Sequence, residues 1–338
     1  MSIPRQNVLA LVERARSEER SGAPERALEV YDEALAALDG DNTDPLAADV
    51  LRWKGTVHRE RGETTQALAL YQRSVELAER SGHTVGRAHG LNCLAIVAQR
   101  RGDVAQAEHL YAQAALHAAA ARDHRLLGMI EQNQGVLAST RGDLEGALLR
   151  YRMSLKAFEH AGDDEPASWV LNNLGMLHTE LEQFDEAETA YQRGLELARG
   201  RGDVMMEGHI ELNRAEAFLA QARLPDASSC CERALQIAVQ RKDHLRRAQA
   251  LKCRAVIERR RGDLALALAT LQQAQGLAKV AEDALLGAEI LRELGEVCRE
   301  RGDGEQARSA WALAYEQFTH LGAARDAGRV ATRLGALR

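Results

Sequence analysis

The sequence predicts an all-α fold, namely an α-solenoid of eight helical hairpins followed by a C-terminal capping helix. A forty-residue repeat keeps its register through eight copies, and the apolar residues of each copy recur at helical spacing. The 338 residues include only five prolines, as expected of a nearly all-helical chain, because proline breaks helix interiors. A fixed period of this length is typical of solenoids, in which each unit packs only on its neighbours.

Three positions show the repeat most clearly. Position 27 is alanine in every copy, and position 15 is always alanine or glycine. Position 31 is mostly large and apolar or aromatic: Tyr31, Tyr71, Tyr111, Tyr151, Tyr191, Cys231, Leu271 and Trp311. The register predicts a single solenoid domain over residues 1–338, with the following divisions: repeats 1–40, 41–80, 81–120, 121–160, 161–200, 201–240, 241–280 and 281–320, and a capping helix within 321–338.

The first helix of each repeat, helix A, is predicted from about position 3 to position 20. Position 3 is often aspartate, which can accept hydrogen bonds from the free N–H groups at a helix start. A glycine at position 22 suits the left-handed end of helix A, and the acid after it is expected to cap helix B. These acids are Glu63, Asp103, Asp143, Asp263 and Asp303. Repeats 5 and 6 lack the glycine, so we expect their turns to be the least regular.

Helix B, the second helix, is predicted to bury positions 27, 31, 34 and 38. This 4-3-4 spacing marks one face of an α-helix. In repeat 4 these positions hold Ala147, Tyr151, Ser154 and Phe158. Residues 324–337 continue the register as a ninth helix A without a helix B. The polar outer face that such a cap needs is expected from four residues: Arg325, Asp326, Arg329 and Arg333.

The pattern small-x(6)-Gly-Asp/Glu-x(3)-Ala-x(3)-Tyr-x(2)-small resembles the tetratricopeptide repeat, and the match covers residues 1–320. Its clearest copy contains Leu171, Leu174, Gly175, Ala187, Tyr191 and Gly194. The forty-residue length, rather than the usual 34, is similar to that of Pins/LGN-type adaptors and of bacterial sensor arrays. The resemblance implies a right-handed superhelix whose A helices line a concave groove, with positions 9, 13, 16 and 20 facing into it.

The repeats differ from one another on this stripe. Position 13 holds Asn133, Asn173 and Asn213 in succession, and an amide can offer a peptide backbone both a donor and an acceptor. The predicted peptide-binding groove consists of this asparagine ladder and its neighbours: Trp53, His89, Ile96, Met129, Val136, Trp169, Met176 and His209. The alternative is that the asparagines bond neighbouring helices, while Trp169 and the methionines pack between them.

Charge differs between the two ends of the stripe. The last full repeat carries Glu289, Glu293, Glu296 and Glu300, which predict an acidic groove end. The first repeat is more basic, with Arg16 and Arg20. A bound chain would be oriented by this gradient, and the alternative is a solvated terminal face.

Composition and motifs argue against several classes of function. The net charge of −6 argues against a nucleic-acid binder. The sequence contains neither an apolar stretch long enough to span a membrane nor the pattern of a signal peptide, so we expect no membrane association. Five cysteines form no disulfide framework, which favours a reducing, cytoplasmic location, and 39 arginines against five lysines favour a GC-rich bacterial source. No catalytic, nucleotide or metal motif occurs, so we expect neither enzymatic activity nor a cofactor nor a metal. A calcium loop that starts at Asp39 would need glycine at its sixth position and glutamate at its twelfth, but these positions hold Asp44 and Val50. We therefore interpret residues 39–44 as a polar loop.

The leading hypothesis is a non-enzymatic adaptor that binds a peptide segment of a partner protein in the concave groove. One alternative is a regulatory sensor array that changes superhelix shape when it binds a small peptide or effector. Another is a self-assembling structural scaffold, a homo-oligomer formed through the groove or the terminal repeats.

Overall fold

The structure, a computed structural model, describes residues 5–38 and 44–336. Within these ranges the chain forms seventeen α-helices and no strand, which confirms the all-α solenoid prediction. The polar loop predicted at residues 39–44 lies outside the described residues except for Asp44.

The helices alternate between the two predicted kinds. The A helices are α1 (Arg5–Arg20), α3 (Pro45–Glu60), α5 (Thr84–Arg100), α7 (His124–Thr140), α9 (Asp164–Glu180), α11 (Val204–Ala220), α13 (His244–Arg261), α15 (Ala284–Glu300) and α17 (Ala324–Ala336). The B helices are α2 (Pro24–Leu38), α4 (Thr64–Arg80), α6 (Val104–Ala120), α8 (Leu144–Ala161), α10 (Phe184–Gly200), α12 (Leu224–Gln240), α14 (Leu264–Val280) and α16 (Gly304–His320).

The contacts of the chain divide it into two compact units, Met1–Val170 and Leu171–Arg338. In the first unit α5 contacts both α3 and α7, and in the second α13 contacts both α11 and α15. Successive B helices of the described chain share at most marginal contact. The A helices of each unit therefore form an inner face, and the B helices lie outside it.

In the hairpins of repeats 5 and 8, a glycine of helix A meets a large aromatic residue of helix B. A Cβ atom placed on Gly175 would lie 2.4 Å from Cε1 of Tyr191, and one placed on Gly295 would lie 2.3 Å from Nε1 of Trp311. Both aromatic rings are fully buried. The small residue at position 15 therefore lets the two helices approach closely enough to bury the aromatic side chain.

The buried face predicted for helix B is confirmed in repeat 4. Ala147, Tyr151, Ser154 and Phe158 are all buried in α8. The hydroxyl of Ser154 donates to the backbone carbonyl of Gly128 at 2.7 Å, so this buried polar group is satisfied.

Aspartate caps are confirmed at four helix A starts. The backbone N–H three residues further on donates to the carboxylate at 2.8–3.0 Å in each case, for Asp123, Asp203, Asp243 and Asp283. At the helix B starts only two of the five predicted caps form, at Asp103 and Asp143.

The prediction of a cap is wrong for Glu63, Asp263 and Asp303, whose side chains make no capping hydrogen bond. The carboxylate of Glu63 instead contacts Nδ1 of His58 at 2.5 Å and Nε of Arg61 at 2.9 Å. These two basic partners occupy the carboxylate that would otherwise have reached the backbone.

The turns of repeats 5 and 6 are regular, contrary to our expectation. Glu182 and Ala222 adopt left-handed backbone angles, with φ of 59° and 58°. Their N–H groups donate to the carbonyls of Thr179 and Leu219 at 3.1 and 3.0 Å, in the same pattern as the N–H of Gly102. The packing of the two helices therefore fixes the turn, and the non-glycine residue takes on the strain.

Three of the four charged residues predicted for the polar face of the capping helix make ion pairs with other A helices, while Arg325 and Arg329 stay exposed to solvent. Arg333 bonds to Glu296 of α15, and Arg292 of α15 donates to Asp326 at 3.1 Å. Arg325 reaches Glu180 at the end of α9, 145 residues away in sequence, at 3.3 Å. Because α17 continues the register of the A helices, its stripe faces the inner side of the second unit.

Candidate functional site

Two asparagine pairs join neighbouring A helices, one pair in each unit. In the first unit, Nδ2 of Asn133 on α7 donates to Oδ1 of Asn92 on α5 at 3.1 Å. In the second unit, Nδ2 of Asn213 on α11 donates to Oδ1 of Asn172 on α9 at 2.8 Å. Both pairs use positions 12 and 13 of successive repeats, so the chain carries the same arrangement twice.

The three asparagines of the predicted ladder differ in their bonding. Asn133 and Asn213 bond a neighbouring helix, as in the alternative interpretation. Asn173 is half-buried and has no hydrogen-bond partner among the described residues. Each amide has two donor hydrogens and one carbonyl oxygen, so a single bond between two amides holds them in place and leaves further capacity for a ligand.

Asn92 and Asn172 are the residues that the sequence interpretation missed. Both are buried and lie at position 12, directly before the stripe position 13. The sequence pattern that could have revealed them is an asparagine at position 12 of two repeats, 80 residues apart. The pairing itself depends on how far adjacent A helices are offset, which only the structure shows.

Exposed apolar side chains flank both amide pairs. In the first unit Met129 and Val136 of α7 are 36% and 39% exposed, and Ile96 of α5 is half-buried. In the second unit Met176 of α9 is 49% exposed. Because water reaches them, the two methionines do not fit the alternative in which they only pack between helices.

Trp53 lies beside charged groups on the inner side of the first unit. The guanidinium carbons of Arg16 and Arg52 lie 4.8 and 5.2 Å from the centre of its ring, within cation–π distance. The indole is half-buried. The basic Arg16 of the first repeat is therefore already engaged with an aromatic surface.

The remaining predicted groove residues are more enclosed. Trp169 and His89 are half-buried, and His209 is buried. Burial, with a smaller effect of nearby arginines, lowers the pKa of both His89 and His209 to about 4. Both imidazoles are therefore neutral at pH 7 and contribute no positive charge to the inner faces.

The four glutamates of the predicted acidic groove end are each paired with a cation. The pairs are Lys252 with Glu289 (2.6 Å), Arg259 with Glu293 (3.5 Å) and Glu300 (2.6 Å), and Arg299 (3.4 Å) and Arg333 with Glu296. This end is acidic in sequence but compensated in structure, because α13 and α17 bring basic residues that lie far away in sequence.

The described part of the chain holds no group of three or more histidine, cysteine, aspartate or glutamate side chains that could bind a metal ion. None of its helices is long and apolar enough to cross a membrane.

Comparison with known proteins identifies the repeat. Two sequence models described as tetratricopeptide repeat match residues 12–82 and 168–199. No curated protein sequence matches the chain significantly.

Many solved structures are similar to this chain, and three of them illustrate the range. One is a Signal Transduction ATPase with Numerous Domains protein with a tetratricopeptide repeat sensor, from Pyrococcus horikoshii: the identity is 14%, the TM-score 0.71, and the match covers 97% of this chain and 52% of that one. The apo quorum sensor NprR from B. thuringiensis is 15% identical with a TM-score of 0.70, and the match covers 92% of this chain and 87% of NprR. A Rap protein complexed with Competence and Sporulation Factor is 12% identical with a TM-score of 0.61, and the match covers 99% of this chain and 98% of the Rap protein. The TM-scores show that these proteins share the fold of this chain. At identities this low, the similarity extends to the fold alone.

Proposed function

We propose that this chain, which is a tetratricopeptide repeat protein, is a non-catalytic adaptor that binds a peptide segment of a partner protein on its inner faces. The narrower resemblance to Pins/LGN-type adaptors and the division of residues 1–338 into one solenoid domain of eight repeats remain predictions.

The observation that carries this proposal is the amide pair with exposed apolar side chains beside it. An extended peptide needs donors and acceptors for its backbone and apolar contacts for its side chains. Amides that are already held by a hydrogen bond lose little further freedom when a ligand binds, which favours affinity. The unpaired Asn173 adds an amide that no described residue occupies.

A regulatory sensor is the second candidate, and the contact between α17 and α9 favours it. Arg325 and Glu180 are 73% and 44% exposed, and exposed ion pairs contribute only about 0–1 kcal/mol. This weak contact joins two distant parts of the second unit, so a ligand on the inner face could open it at little cost. The shared fold with the quorum sensor NprR and with the Rap protein in its complex supports a sensor role as well.

The adaptor proposal is tested with Asn173→Ala. Partners are captured from the native host with the wild type and the variant, and the affinity of the identified segment is then measured for each. We expect unchanged helicity and thermal stability, with a fivefold to hundredfold loss of affinity, because an unmatched peptide group costs roughly 1–3 kcal/mol.

The matched control is Gln236→Ala, which removes an exposed amide from the outer helix α12 and should leave binding unchanged. A fall in stability of Asn173→Ala with unchanged affinity would show that this asparagine is part of the scaffold, and the proposed site would be wrong.

A further inference from the structure

We infer that the inner face of the second unit recognises a lysine or arginine side chain of the bound segment, and that Glu216 receives its cation. The inference rests on the proposed function and specifies the chemistry of the ligand at one point.

Glu216 differs from the other acids of this face because it lacks an ion pair. Six glutamates occupy the inner stripe of the second unit: Glu180, Glu216, Glu289, Glu293, Glu296 and Glu300. Five of them lie within 4.0 Å of an arginine or lysine nitrogen. Glu216 has no arginine, lysine or histidine nitrogen within 4.0 Å among the described residues. Its side chain is exposed to solvent.

The cations nearest to Glu216 are already engaged. Lys252 of α13 influences it electrostatically but donates to Glu289 at 2.6 Å, and Arg292 of α15 donates to Asp326 at 3.1 Å. Desolvation by the surrounding helices raises the pKa of Glu216, although water reaches the carboxylate. A ligand cation would therefore meet a carboxylate that is crowded, accessible and not compensated by a direct pair.

Glu216 also belongs to the patch that contains the amide pair. It lies one helical turn after Asn213 on α11, and Asn213 is bonded to Asn172. Met176 lies one turn after Asn172 on α9, with its Sδ 3.7 Å from Nδ2 of that asparagine. A lysine or arginine has an apolar stem and a cationic end, which complement an exposed methionine beside a carboxylate.

The first unit shows what the same arrangement is like without the acid. The positions that correspond to Met176 and Glu216 hold Ile96 and Val136 beside the pair Asn92–Asn133. Both units thus have an amide pair, but only the second has a carboxylate next to it. The basic residue of the ligand is therefore expected at the second unit.

The experiment uses a phage-displayed library of random peptides as the probe, selected on the wild type and on Glu216→Gln. Selected peptides are synthesised, and their affinities are measured by calorimetry. We expect lysine or arginine to be enriched at one position for the wild type. Replacing that residue with alanine should weaken binding to the wild type about tenfold or more, and binding to Glu216→Gln by much less.

Two further variants make the result specific. Glu196→Gln removes the same charge from the outer helix α10 and should select the same peptides as the wild type. Glu216→Val copies the first unit and should shift the selection from basic to apolar residues. Circular dichroism confirms that each variant is folded.

Three outcomes would contradict the proposals. This inference is overturned if the selected peptides show no enrichment of lysine or arginine. It is also overturned if replacing the basic residue of the peptide with alanine weakens binding to Glu216→Gln as much as binding to the wild type. If their binding still depends on Asn173, the adaptor proposal stands and only the role of Glu216 is wrong. If binding responds to neither Asn173→Ala nor Glu216→Gln, both proposals are wrong.

Discussion

Single residues set the distance between the two helices of a hairpin. Gly295 faces Trp311, whose indole is buried and donates from Nε1 to the carbonyl of Arg292 at 3.1 Å. The ring is therefore held from two sides and has little room to move.

We predict that Gly295→Ala destabilises the protein by about 1–3 kcal/mol, as overpacking does, because the new methyl group would lie 2.3 Å from the indole. Denaturant unfolding checks this. The control is Gly287→Ala on the same helix α15, where the nearest atom would be Oε1 of Gln317 at 3.8 Å. This change should be neutral or slightly stabilising, since alanine favours helix. Equal effects of both changes would contradict the packing argument.

His209 makes stability depend on pH. Its pKa is about 4 in the folded protein because burial disfavours the charged imidazole, whereas an unfolded histidine has a pKa near 6.5. The unfolded state therefore takes up the proton first, and stability is lost as the pH falls from about 6.5 towards 4.

We predict that His209→Gln, which does not titrate, reduces this loss by roughly 3 kcal/mol at most. The free energy of unfolding is measured against pH for the wild type, for this variant and for His320→Gln, whose histidine is exposed. His320→Gln should follow the wild-type curve. Identical curves for all three proteins would show that His209 is not the sensitive group.

At the scale of elements, the turns show that packing can impose a conformation that the local sequence disfavours. The turn residues of most repeats are glycines with positive φ, but Ala222 adopts φ of 58° between α11 and α12. The left-handed conformation costs a residue with a Cβ atom about 1–2 kcal/mol.

We predict that Ala222→Gly stabilises the protein by up to about 1 kcal/mol, because relief of this strain exceeds the entropy that glycine loses on folding. Thermal unfolding measures the change. Ala112→Gly in the exposed face of α6 is the control and should destabilise by about 1 kcal/mol. If Ala222→Gly also destabilises, the turn is not strained.

At the scale of the whole molecule, stability should be local, because each solenoid unit is coupled mainly to its neighbours. The Tyr151 ring is buried between α7 and α8, where a Cβ atom on Gly135 would lie 2.7 Å from it.

We predict that Tyr151→Ala costs on the order of 3–5 kcal/mol, as for other buried aromatic residues cut to alanine. Amide hydrogen exchange should show that protection is lost around α7 and α8 and kept in α13–α16. Leu149→Ala on the same helix, where the side chain is 58% exposed, is the control and should have little effect. A uniform loss of protection would instead show that the chain unfolds as one cooperative body.

The sequence by itself determined the repeat register, the alternation of A and B helices and the residues buried within each hairpin. These features are local: positions 15 and 31 of one repeat meet across a single turn, so their sizes are correlated within a short stretch of chain. The inner stripe came instead from the resemblance to the tetratricopeptide repeat, and the sequence then placed Asn133, Asn173 and Asn213 on it.

Only the tertiary structure decided which side chains of different repeats meet. The bonds of Asn133 to Asn92 and of Asn213 to Asn172, and the contact of Arg333 with Glu296, join residues 37–41 positions apart. These contacts depend on the offset and tilt of adjacent helices, which the packing of whole helix faces sets and no single repeat encodes. For the same reason the glutamates of the last repeat are compensated, whereas Glu216 has no arginine or lysine within 4.0 Å among the described residues.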